Sequence, residues 1–261
     1  MRRVLLVTTL IAAVSATCVA PASAAVTATR SAKKVARAMV AKPSLLRGAR
    51  FLQLPPQGNP VATATTRLAG FRPHRRTFGV LSTGDATLLD DPNEQDDLST
   101  DNAGAPVRGS AIDAVVLRLT LRAPRRANCL SFKLRFFSDE YDEFVDTEFN
   151  DAFIAETRRS LWRSDPADAR LRRLRNNFAR DRRFRPISVN GTGAFAVNDR
   201  SSAGTTYDGA TGTLTARKRV RPGRRVRLFL SILDQGDHEY DSTVAIDRLT
   251  IARRARCRTG R

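Results

Sequence analysis

In four separate stretches of this 261-residue chain, apolar residues fall at every second position, a period that argues against helical and α/β architectures. Val115, Leu117, Leu119 and Leu121 alternate with Val116, Arg118, Thr120 and Arg122, and Leu130, Phe132, Leu134 and Phe136 alternate with Ser131, Lys133 and Arg135. Val226, Leu228, Leu230 and Ile232 repeat the pattern, and Val244 and Ile246, with Ile251 out of phase beyond them, mark a last run. Successive strand side chains face opposite ways, so each run describes a strand with one face buried. Asn190-Gly191 and Asp208-Gly209 are turn signals between such runs. Asp165-Pro166 is a helix start, ahead of Ala167 to Arg175. The pattern predicts an all-β fold: a jelly-roll-like antiparallel β-sandwich with one short surface helix in an Arg-rich insertion spanning 158–185.

The N-terminal stretch predicts export. Arg2 and Arg3 precede an apolar run from Val4 to Ala16, and Ala22-Ser23-Ala24 stands just ahead of Ala25 in the small-x-small pattern of a signal-peptidase site. The run is shorter than the roughly 20 residues needed to span a bilayer, so residues 1–24 read as a removed signal peptide. The residues before Cys18, Ser15-Ala16-Thr17, make a poor lipidation signal. From 25 to 72 the chain is rich in Ala, Thr, Arg and Pro without a sustained apolar period, and reads as a basic flexible leader. Within it Ser31 to Lys42 is a marginal basic helix. The β-sandwich domain is then expected over 73–254, with a basic tail over 255–261. No second long apolar segment follows, so the mature chain is expected without a transmembrane segment, secreted or associated with the cell wall. Cys129 and Cys257 are then the two remaining thiols; in an oxidising compartment their pairing is the economical assignment, and two separate thiols are the alternative.

Charge is abundant and segregated. The formal net charge is +19, and Arg outnumbers Lys 40 to 5. Yet 20 of the 26 carboxylates fall in three segments, 85–101, 138–156 and 234–247, that contain no Lys or Arg. Each segment begins where a strand run ends, which places it in loops, and loops at one end of a sandwich can converge. Clustered carboxylates repel and raise one another's pKa unless a cation neutralises them. Oxygen donors without His or Cys clusters favour Ca²⁺ over zinc or copper. The alternative is a set of separate, solvated acidic loops.

Ser138-Asp139-Glu140-Tyr141, Glu143-Phe144-Val145 and Phe149-Asn150-Asp151-Ala152-Phe153 resemble the SEEY, EFV and FNDxF motifs of the choice-of-anchor L domains of bacterial secreted and surface proteins. Further stretches match in order: Gly79 to Asp85, Pro186 to Asn190, Thr206 to Thr211, and Leu230 to Asp237 leading to Tyr240-Asp241-Ser242. The resemblance covers about 77–252 and implies an extracellular β-sandwich without a known reaction. Asp139 stands where that family usually has Glu, and the family's C-terminal anchors have no counterpart after Ile251.

Residues common to the matched motifs and the acidic segments are the candidate metal ligands: Asp139, Glu140, Asn150, Asp151, Asp234, Asp237 and Asp241, with Asp85 next. Tyr141, Phe144, Phe149 and Phe153 read as core or loop-anchoring aromatics. For catalysis there are two histidines, His74 and His238. His238 lies among acids, near Ser231 and Ser242 in sequence, but no nucleophile-elbow motif accompanies it. No catalytic residue is assigned. The expected function is a non-catalytic, Ca²⁺-stabilised module in surface attachment or adhesion; a Ca²⁺-dependent hydrolase of polysaccharide or ester, and a cationic wall-polymer binder, are the alternatives. Basic residues are not interleaved with aromatics as nucleic-acid binding would require. An anionic cell-wall polymer or surface glycan is therefore the expected partner, with no specific nucleic acid.

Overall fold

A computed structural model of the chain describes residues 26–65, 67–92, 98–141, 143–165, 167, 174–191 and 201–259. The expected signal peptide, Glu94, Asp96, Asp97, Asp142 and most of the helix expected over 167–175 lie outside the described residues.

The strands form two antiparallel sheets, as the period of two requires. In the first, β1 (Val26–Ala28), β3 (Val61–Ala64), β4 (Phe78–Ser82), β12 (Ser242–Ala252), β6 (Cys129–Ser138) and β10 (Leu214–Arg219) lie side by side in that order, and β9 (Gly209–Ala210) pairs with the end of β6. In the second the order is β2 (Leu46–Gln53), β5 (Ala111–Arg122), β11 (Arg225–Gln235), β7 (Ala152–Thr157), β8 (Ile187–Ser188).

The alternating residues fill the space between the sheets. Leu117 and Leu119 of β5 and Leu228, Leu230 and Ile232 of β11 join Phe132, Leu134 and Phe136 of β6 and Val244 and Ile246 of β12 in one core. Phe132 stands edge-on to Phe153 of β7, ring centroids 6.3 Å apart, tying sheet to sheet. Each such side chain contributes about 1.5–3 kcal/mol when buried. Both outer faces are also partly covered: Phe71, Phe78 and Tyr207 pack on the first sheet, and Trp162 packs with Val116 and Ile154 on the second.

The stretch expected to be a flexible leader is part of the sandwich. Residues 26–64 supply β1, β2, β3 and the helix α1 (Ala32–Met39). Ser31 caps α1, its Oγ accepting from the Lys34 N–H at 3.3 Å. Val35, Ala36 and Met39 are fully buried, and Met39 seats against Gly79, where a Cβ would lie 2.5 Å from its terminal methyl. Packing of this three-residue stripe stabilises a helix too short to persist alone. β2 hides its period because bulges at 46–48 and 51–53 shift its register against β5. Thus the described α-helix lies at 32–39, ahead of the Arg-rich insertion.

Cys129 and Cys257 are joined by a disulfide. It pins the segment after β12 to the start of β6. The Thr259 hydroxyl accepts from the Arg217 N–H at 2.8 Å, extending the segment along β10. Among the described residues, no helix is long and apolar enough to cross a membrane.

Candidate metal centre

Strand parity delivers the acidic side chains. On β6, Leu130, Phe132, Leu134 and Phe136 face the core; the next two positions of the same parity are Ser138 and Glu140. On β7, Phe153 and Ala155 face the core, and the preceding position of that parity is Asp151. On β11, Leu228, Leu230 and Ile232 are followed by Asp234. The alternation that fills the sandwich with hydrocarbon therefore ends, on three strands at one end, in a carboxylate.

These side chains meet. One oxygen each of Glu140, Asp234 and Asp237 lies within 4.8 Å of the others. Glu140 Oε2 accepts from the Asp151 N–H at 2.9 Å, and Asp151 Oδ1 accepts from the Gln235 N–H at 3.3 Å. Glu140, Asp151 and Asp234 are buried, with exposures of 1%, 0% and 2%. Among the described residues none of their hydrogen-bond or ion-pair partners is Arg or Lys. Asp234 Oδ1 is buried without a hydrogen-bond partner among the described residues.

Two unit charges 4.8 Å apart repel by about 3.5 kcal/mol at an effective dielectric constant of about 20. Burial, reinforced by the Asp151 charge, pushes the Glu140 carboxyl well up. Burial and the charges of Asp151 and Glu140 do the same to Asp234. Burial also raises Asp151, against the hydrogen bond it receives from Ser242, with Asp241 adding to the rise. Metal-free, these groups resist ionisation together; a divalent cation between them removes the conflict.

A second layer holds the loops. Asp139, of the opposite parity to Glu140, accepts from the Leu98 N–H at 3.1 Å and the Asp208 N–H at 2.9 Å, and burial lifts it to about 8. Asp241 accepts from Thr100 N–H and Oγ1 at 3.0 and 2.5 Å and is pushed up to about 7, again by burial. Its carboxylate lies where a side chain on Gly84 would stand, 1.8 Å from that residue's hypothetical Cβ. Phe144 packs between Phe149 and Tyr240, with centroids 5.6 and 4.8 Å away, anchoring the 141–150 loop to the 236–241 turn.

All three acidic segments thus reach one end of the sandwich, but the predicted ligands divide. Glu140, Asp234 and Asp237 converge, with Asp151 bonded to Glu140. Asp139 and Asp241 instead tie loops. Asn150 Oδ1 accepts from the Asn190 N–H at 2.8 Å, a structural contact. Asp85 caps the short 3-10 turn Ala86–Asp90, accepting from Thr87 N–H at 2.8 Å and from Asn59 Nδ2 at 2.9 Å. Fixed donors thus engage all four of these side chains.

One acid was not anticipated. Asp113 is buried at the bulge where β5 carries an extra residue opposite β11, with φ 41°. Its Oδ2 lies 2.9 Å from His238 Nδ1, and Asp101 Oδ1 is 3.3 Å from the same nitrogen. Ser231 accepts from Trp162 Nε1 at 2.9 Å and Ser242 Oγ lies 2.8 Å from Ser138 Oγ, so neither serine near His238 in sequence bonds its imidazole among the described residues. Comparison of the chain with family models and with curated proteins gives no match.

Proposed function

We propose that this chain is an exported, non-catalytic β-sandwich module of the choice-of-anchor L kind, working in surface attachment and completed by one Ca²⁺ at the acidic end. Glu140, Asp234 and Asp237 are its side-chain ligands, with Asp151 as the neighbouring carboxylate. The observation that carries this reading is Asp234, a buried carboxylate with an oxygen that accepts no hydrogen bond among the described residues, facing two further carboxylates and no basic residue. Oxygen-only donors from separate loops suit the irregular, high-coordination shell of Ca²⁺ better than the strict octahedron of Mg²⁺. The disulfide fits an oxidising compartment, and the motif resemblance supplies the link to surface proteins.

Calorimetric titration of the oxidised protein with CaCl₂ tests the reading. The expected result is one site per chain, at least tenfold weaker binding of Mg²⁺, and loss of the Ca²⁺ heat in Asp234→Asn. No binding at millimolar Ca²⁺ would overturn it.

A further inference from the structure

We propose that the opposite end of the sandwich is a groove for a linear polymer of closely repeated phosphate groups. β6 and β11 both run from this end towards the acidic mouth, so the turn before β11 and the segment after β12 gather at the far pole. One depression there, of about 860 Å³, is walled by Arg217, Arg219, Arg254, Arg256 and Arg258. A second, of about 940 Å³, is walled by Arg158, Arg219, Arg221, Arg224, Arg225 and Arg227. Arg219 belongs to both. Arg217 continues the first into a third depression beside Arg180 and Arg182. The three depressions thus adjoin one another through shared arginines and line up as a track.

Most of the track is exposed; Arg180 and Arg217 are half-buried, and Arg180 donates to the carbonyls of Leu174, Asn177 and Phe184. Arg219, Arg221, Arg225, Arg227, Arg254 and Arg256 are exposed, and among the described residues none of them pairs with a carboxylate. The acid lining the track, Asp181, is taken by Arg185 at 2.8 Å. Like charge accumulates further on the same sheet, where Arg50 of β2 stands directly opposite Arg118 of β5, an arrangement that costs stability until an anion offsets it.

The chemistry selects the occupant. Guanidinium groups grip phosphate through paired N–H donors. Arg225 and Arg227, like Arg217 and Arg219, are two residues apart on a strand, about 7 Å along one face, so they meet successive charges of an extended chain rather than a single ion. No aromatic residue lines the three depressions, so nothing is offered for bases to stack on, and single-stranded nucleic acid is disfavoured. A sugar-acid chain would ask for ring faces beside neutral polar groups to read its hydroxyls. The lining offers no ring face, and its neutral polar side chains, Asn128, Thr157, Thr213 and Thr215, are outnumbered by arginines, which suits a ligand that presents mainly charge. The disulfide holds the wall formed by Arg254, Arg256 and Arg258 beside β10.

Binding of the oxidised protein to long-chain inorganic polyphosphate, in EGTA to exclude bridging by calcium, tests the proposal. Saturable binding is expected, with log K falling against log[NaCl] with a slope of at least 3, because several phosphates release counter-ions. Arg219→Gln/Arg225→Gln/Arg227→Gln should weaken binding at least tenfold at 150 mM NaCl while leaving the melting temperature within a degree or two. Orthophosphate should bind at least a hundredfold more weakly. Equal affinity of the triple variant would overturn the site; equal binding of polygalacturonate or single-stranded DNA would overturn the assignment to a phosphate chain.

Discussion

The two ends of this sandwich concentrate charge of opposite sign, and they handle it in opposite ways. At the arginine end the guanidinium groups are exposed, water and salt screen them over about 8 Å at physiological ionic strength, and the fold tolerates them without a partner. At the acidic end Glu140, Asp151 and Asp234 are buried; there the choice is protonation or a bound cation. On the proposed reading, an ion is a structural component at one pole and a visiting ligand at the other. Removal of the ion should destabilise the fold at the acidic pole, whereas removal of the ligand at the arginine pole should leave it unchanged.

The largest effect expected comes from the covalent bond at the arginine pole. Cys257→Ser should destabilise the chain by up to about 5 kcal/mol on the chain-entropy model for a loop of this length, given a separation of 128 residues. It should also loosen the groove wall and weaken polyphosphate binding, while Ca²⁺ affinity changes less than threefold. Chemical denaturation and both titrations on the variant check this.

Calcium comes next. At a hundredfold excess over Kd, mass action stabilises by about 2.7 kcal/mol, which for a domain of this size is about 5–10 °C in Tm. Calorimetric melts in Ca²⁺ and in EGTA should differ by that amount, and Asp234→Asn should abolish the difference. Asp85→Asn, which alters a cap outside the triad, should retain it.

The third effect is a pH slope with a defined sign. Burial raises Asp139 to about 8 and Asp241 to about 7, above the ordinary value near 4 that holds when the chain is unfolded. Between those values the folded state binds more protons, so stability falls as pH rises. In EGTA, Tm should therefore drop from pH 5 to pH 8. With saturating Ca²⁺ the drop should shrink, because Glu140, Asp151 and Asp234, which burial also raises, are then held ionised by the metal and no longer contribute to it. A metal-free Tm that climbs over this range would show that these groups are already neutralised by some other means.

The smallest effect separates the poles by salt. Raising NaCl from 50 to 500 mM should change the metal-free Tm by only a few degrees, since exposed charge contributes little, and the triple arginine variant should respond less than the parent. Melts at fixed pH decide it.

The sandwich was legible because strands 115–121, 130–136 and 226–232 keep an unbroken period of two. The leader was not, since β2 is bulged twice and α1 buries only Val35, Ala36 and Met39 against a partner, Gly79, far along the chain. Charge segregation located the acidic mouth but not its geometry, and Asp139 looked as suitable as Glu140, with Asp85 next. Parity holds the missing information: Glu140, Asp151 and Asp234 occupy inward positions next to Phe136, Phe153 and Ile232, and Asp139 does not. Asp113 escaped because it sits alone inside an apolar strand and reaches His238 through a bulge that no local pattern announces.

The most direct measurement is a crystal structure of the oxidised protein grown with calcium, with the metal located by anomalous scattering. One peak is predicted, about 2.3–2.6 Å from oxygens of Glu140, Asp234 and Asp237. Density without a peak, with these carboxyls instead sharing protons in short hydrogen bonds, would contradict the account.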